Sequence, residues 1–174
     1  MTRDDLNGIP PASMDLDIHC VMTWSAMGSR WTGWKMLDIW EHVLRDIADP
    51  GTTHVVFTGL DQAMAGIALP DLLREDVMIA HSRDGEPLDR NHGAPYRLVV
   101  PHLYGYKHVK HLDRIELAPH HVANPHEPWI MHARGLVANE ERGGIGLQRL
   151  TRMVYRLFVR ASLRSAGVKR PRFR

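Results

Sequence analysis

The sequence predicts a mixed α+β domain, and three observations carry that prediction. Several short segments alternate apolar and polar residues as half-buried strands do, one longer and one shorter stretch have helical character, and the two kinds do not alternate regularly enough for a βαβ repeat. In a chain of 174 residues, 44% hydrophobic and 24% charged, this amounts to one domain with enough apolar surface to build its own core.

Met14, Leu16, Ile18 and Cys20 alternate with Asp15, Asp17 and His19, so MDLDIHC reads as a strand that delivers an inward-facing Cys20 at its end. A loop with Gly28 and Gly33 is expected next. Leu37, Trp40, Val43, Leu44 and Ile47 then repeat at helical spacing, until Asp49-Pro50-Gly51 stops the helix. HVVF (54–57) is the next strand. Pro70 opens a short helix through Leu73, VMIAHS (77–82) is a strand, and Asp84-Gly85-Glu86-Pro87 is a turn. After the loop NHGAP, RLVVP (97–101) is a strand closed by its proline, and HVKHLDRIEL (108–117) alternates as another. Residues 118–130, with three prolines, predict an irregular loop. The chain ends in an amphipathic helix, with Leu147, Leu150, Met153, Val154, Leu157, Phe158 and Ala161 beside Arg149, Arg152, Arg156, Arg160 and Arg164.

Composition excludes several classes. A single cysteine leaves no disulfide framework and no multi-cysteine metal site. No apolar run is long enough to cross a bilayer and the start lacks a leader pattern, so the expected compartment is the cytoplasm. Net charge is +2, but residues 142–174 hold ten Lys and Arg and no Asp or Glu, against 12 basic and 20 acidic before them. That asymmetry suggests a basic tail meeting an anionic surface or partner: residues 145–164 are expected to dock a redox partner or an anionic membrane, and no nucleic acid is expected.

Chemistry concentrates between Gly93 and Arg114, where Arg97, Lys107, His108 and Lys110 follow His92. Converging Arg forks and Lys point charges suit a phosphate, and no GxxxxGK[ST] or strand-borne GxGxxG offers a nucleotide loop. Taken alone, these charges also fit a solvated strand face. Cys20 reads first as a small buried hydrophobe, then as a soft metal ligand or a nucleophile beside one of twelve histidines, although no local signature of a cysteine nucleophile is present. No HExxH or facial-triad spacing points to an all-protein metal site.

In order and spacing, DIHCVMTWS (17–25), RWTGW (30–34), LPDLLREDVMIAH (69–81), DGEPL (84–88) and HGAPYRLVVPHLYGYKHVKHLDRIEL (92–117) resemble the molybdopterin-binding oxidoreductase domain of the sulfite oxidase-like family, which includes the catalytic subunit of bacterial methionine sulfoxide reductase. The resemblance implies a mixed-sheet domain over residues 1–117, followed by a loop and basic helix over 118–174. It implies one molybdenum–molybdopterin cofactor, with Cys20 as thiolate ligand to the metal. His92 and Arg97 would contact the pterin, and Lys107, His108, Val109 and Lys110 would receive its phosphate. Arg30 is a further candidate, for drawing in an anionic substrate. Relatives carry a longer segment before the DIHC strand, so part of the pocket is expected to be missing or supplied by another chain. Met64 and Ala65 stand where they carry hydroxyls. The implied activity is two-electron or oxygen-atom transfer on a small oxo-substrate such as sulfite, a sulfoxide or an N-oxide. The alternative is a truncated, non-catalytic relative that binds a partner through its basic tail.

Overall fold

The computed structural model describes residues 4–124 and 134–141, together with Val159, Leu163, Arg172 and Phe173. Two antiparallel sheets form the scaffold. In the first, β1 (Ala12–His19) pairs with β2 (Trp24–Lys35), which pairs with β5 (Met78–Arg83), and β5 also pairs with β6 (Glu86–Pro87) and β7 (Arg97–Val99). The short β9 (Arg172–Phe173) lies alongside Trp24 and Ser25. The second sheet has the order β4 (Met64–Ala68), β3 (His54–Gly59), β8 (Leu112–Ala118).

The main core fills the space between the sheets and a helical connection. Ile79 and Leu98 from the first sheet meet Val55, Phe57, Ala65 and Ile67 from the second, with Met36, Ile39 and Leu44 beside them. Fully burying side chains of this size contributes about 1.5–3 kcal/mol each. Alternation sends Leu16, Trp31, Met78, Ala80 and Val99 to the other face of the first sheet, where they form a second cluster. That second face carries the site.

Most expected elements are present, with instructive differences. The stretch taken as a glycine loop is instead β2, a strand interrupted twice. Opposite Asp17 the register slips between Leu16↔Ser29 and Ile18↔Ala26, and Asp17 Oδ1 accepts the N–H of Gly28, whose φ is +64°, at 2.7 Å. At the second slip a Cβ on Gly33 would stand 2.0 Å from Ile79 O, so only glycine admits β5 there. The helix over 36–47 begins as α1 (Met36–Ile39), widens to a π turn over Trp40–Leu44 and tightens to 3-10 over Arg45–Ile47. Part of the unassigned stretch 60–69 is β4, followed by α2 (Leu69–Leu72) with Pro70 in its first turn. Strand pairing in 108–117 starts only at Leu112, because Gly105–Lys107 is a 3-10 turn and His111 takes φ +51°. The turn at Asp84-Gly85 has both φ positive, the geometry that joins twisted strands in a tight hairpin. The expected stripe from Leu147 to Ala161 lies outside the described residues. No helix among the described residues is long and apolar enough to cross a membrane.

Candidate functional site

The β1–β2 connection places the cysteine. Cys20 N–H donates to Trp24 O at 2.9 Å, Thr23 N–H returns to Cys20 O, and Thr23 takes φ +71°, which closes a tight turn. Within it Met22 N–H points at Cys20 Sγ, 3.4 Å away. A main-chain donor aimed at sulfur favours the thiolate over the thiol. The neighbouring His19 is turned to Ser25, with 2.8 Å between Nδ1 and Oγ.

The loop 89–96 and the segment 108–112 lie side by side, and this brings the basic residues together. Asp89 O accepts the N–H groups of His92, Gly93 and Ala94, while His111 N–H donates to Gly93 O and Leu98 N–H to Val109 O. Gly93, at φ +101°, lets the loop approach Lys110: a Cβ there would stand 2.9 Å from the lysine Cβ. The Asp89 carboxylate accepts both the main-chain N–H and the ring Nδ1–H of His92 at 2.7 Å, which leaves Nε2 as the imidazole's other polar atom. Those bonds hold the Asp89 carboxyl below the usual range. Lys110 Nζ donates to Asn91 O at 2.6 Å; burial and Arg97 lower its pKa, while Asp61 and Asp89 pull the other way.

The result is a cavity of about 230 Å³ lined by Ile18, Cys20, Trp24, Ala26, Ser29, Trp31, Arg83, His92, Arg97, Gly105 and Lys110. The slip opposite Asp17 is what turns both Ala26 and Ser29 to its wall. Arg97 is 5% exposed, and desolvation, with Arg83 nearby, brings its pKa down to about 10. Its Nη1 donates to His92 O at 3.1 Å, and its Nε has no acceptor among the described residues. No carboxylate among the described residues lines this wall.

Cys20, His92, Arg97 and Lys110 therefore share one cavity, and the four other candidates sit elsewhere. Lys107 is buried, its Nζ 5.5 Å from the Tyr106 ring, and burial, together with the lysine's charge, lowers the pKa of His121 on the side of β4. His108 Nε2–H donates to Val100 O and Leu103 O, and burial pushes its pKa down to about 3, so the ring is a neutral brace. Val109 belongs to the main core. Arg30 alternates to the opposite face of β2 from Ser29 and Trp31 and pairs with Asp15 at 3.3 Å in solvent. Besides Arg97, the cavity wall carries Arg83, which β2–β5 register sets across from Trp31. Sequence reasoning passed over it as the residue before a turn; only the pairing of two strands reveals it.

Residues 1–126 match the family described as the oxidoreductase molybdopterin binding domain. The chain belongs to that family. It is 32% identical over 136 residues to the uncharacterized oxidoreductase YuiH of Bacillus subtilis, covering 78% of this chain and 67% of YuiH. It is 26% identical over 145 residues to mitochondrial sulfite oxidase of Homo sapiens, covering 68% of this chain and 26% of that one. The chain thus spans about two thirds of the first relative and about a quarter of the second. The sulfane dehydrogenase SoxCD of Paracoccus pantotrophus shares the fold, with a TM-score of 0.58 at 20% identity, over 69% of this chain and 35% of that one.

The family's cofactor is molybdenum–molybdopterin, and the cavity residues fit it. A phosphorylated dithiolene offers soft sulfur chemistry around a metal at one part and acceptor oxygens at another. The wall offers the only thiol of the described residues, an unmatched buried arginine, a lysine and a histidine.

Proposed function

We propose that the chain is a molybdenum-dependent oxidoreductase that performs two-electron or oxygen-atom transfer on a small oxo-substrate. The observation that carries this reading is the meeting of Cys20 with Arg97, Lys110 and His92 in one cavity whose described lining holds no carboxylate. When bound, the cofactor supplies the metal at which electrons and oxygen are exchanged, and the protein supplies binding, orientation and electrostatics.

Cys20 is the protein's thiolate ligand, with the Met22 N–H directed at its sulfur. Arg97 and Lys110 bind the cofactor's oxygen acceptors, and Asp89 fixes the ring of His92 so that Nε2 is available toward the cofactor. His108 and Val109 take part through their backbone and their bracing of the strand, and Lys107 supplies positive potential from behind. Trp24 and Trp31 wall off water. Residues 145–164 provide the docking surface for an electron partner or anionic membrane, on the strength of their charge alone.

The test is metal and pterin content of the full chain made in a host that synthesises the cofactor. Close to one molybdenum and one pterin per chain are expected, with Lys110→Glu losing most of both, since an attraction becomes a repulsion. A chain that purifies without either, from a host that loads a known relative, would be a non-catalytic binding module instead.

A further inference from the structure

We propose that β9 is a releasable third strand that holds the Cys20 turn closed, and that an anionic bilayer, drawing on the basic sequence around β9, loosens its hold. The turn needs holding. Thr23, buried and β-branched, sits at φ +71°, where such a residue stays only if its surroundings impose it. Cys20 N–H donates to Trp24 O, Thr23 N–H donates to Cys20 O, and β1 flanks the turn through the pair His19↔Ser25. On the other edge of β2, β5 arrives only from Trp31 on. Without β9, the Cys20 end of the sheet would be a two-stranded hairpin among the described residues, a form that is marginal in water until a third strand joins it. β9 supplies that strand at this place, with Phe173 opposite Trp24 and Arg172 opposite Ser25. Trp24 thus closes the cysteine turn, pairs with β9 and lines the cavity.

Two properties make the hold releasable. The pairing is only two residues long. The stretch KRPRFR (169–174) that contains β9 carries four cations in six residues, and no Asp or Glu follows Glu141. An anionic bilayer attracts each such cation near its surface and so competes with β2 for this segment. The release rests on the membrane docking proposed above for the basic sequence; the hold on Cys20 rests only on the pairing and the turn.

The experiment follows iodoacetamide alkylation of Cys20, the chain's one cysteine, so that the label reports on this turn alone. It uses the full chain made in a host without the cofactor, which leaves the thiol unligated. Wild type is compared with a double variant, Arg172→Pro with Phe173→Pro, and with Arg45→Gln, which loses the same charge from a distant exposed site. Proline has no N–H to give a ladder, so the double variant should be alkylated about tenfold faster than wild type or more, and Arg45→Gln at the wild-type rate. Phosphatidylglycerol vesicles should accelerate wild type in the same direction at low salt and not at high salt, and add nothing to the double variant. Near-ultraviolet circular dichroism checks folding; should the double variant not fold, a chain ending at residue 171 replaces it. Alkylation of the strand-deficient chain at the wild-type rate overturns the hold. Vesicles that sediment with wild type yet leave its alkylation unchanged overturn the release. Vesicles that the chain ignores defeat the docking reading and the release with it, while the proline variant still decides the hold on Cys20.

Discussion

At Arg97 and His108, eleven residues apart, burial acts on two basic groups with opposite consequences. The guanidinium stays a cation even with its pKa brought down to about 10, so it keeps its demand for an anion. The imidazole, brought down to about 3, gives up its proton and becomes part of the framework, its Nε2–H spent on two carbonyls. That difference yields a pH prediction. An unfolded His108 titrates near 6.5, so below that pH the unfolded chain binds the proton that the folded chain refuses. Stability at this residue is fully present above about pH 6.5 and is lost as pH falls toward about 3, by up to about 1.4 kcal/mol per unit. His102 and His121, whose pKa values burial also lowers, act in the same direction. Urea denaturation between pH 7.5 and 4.5 should therefore show a shallower decline in His108→Gln than in wild type. Parallel declines would mean that His108 is protonated inside the folded chain.

At the scale of elements, β2 determines the site. Its first irregularity brings Ala26 and Ser29 to the cavity, and its second lets β5 carry Arg83 across from Trp31. Gly33→Ala should be strongly destabilising, by about 3 kcal/mol, because the added methyl meets the Ile79 carbonyl and backbone cannot step aside as a side chain can. A denaturation midpoint within experimental error of wild type would contradict the packing described. β1 was legible in the sequence because its alternation writes the strand period directly, and β3, β5 and β7 because short apolar runs bounded by turn residues read as buried strands. β2 was not, since its two glycines resemble loop residues and its slips break the alternation. The same limit governs the site. Cys20, His92, Arg97 and Lys110, named through motif order, line the cavity together. Lys107, His108 and Val109 were named through the same resemblance, and they lie on a 3-10 turn and its exit, outside that lining, because the chain bends there before β8 begins. Arg83 enters through a pairing across 52 residues that no local pattern encodes.

At the scale of the molecule, the two sheets divide the space: the main core packs between them, and the second face of the first sheet borders the candidate cavity. The strongly basic sequence after residue 142 suggests a third role, attraction to an anionic surface, worth about 1 kcal/mol per basic residue near a bilayer and weakened by salt. The full chain should sediment with vesicles containing anionic lipid at low ionic strength and be released at high; removal of residues 145–174 should abolish this. Equal sedimentation of the truncated, folded chain would place the contact elsewhere. The central claim is that Cys20 gives its sulfur to the metal, and molybdenum K-edge X-ray absorption tests it most directly. Wild type and Cys20→Ser, matched for pterin content, should differ by one sulfur neighbour at the metal, a hard oxygen donor replacing a soft thiolate. An identical sulfur count in the two proteins would contradict the account.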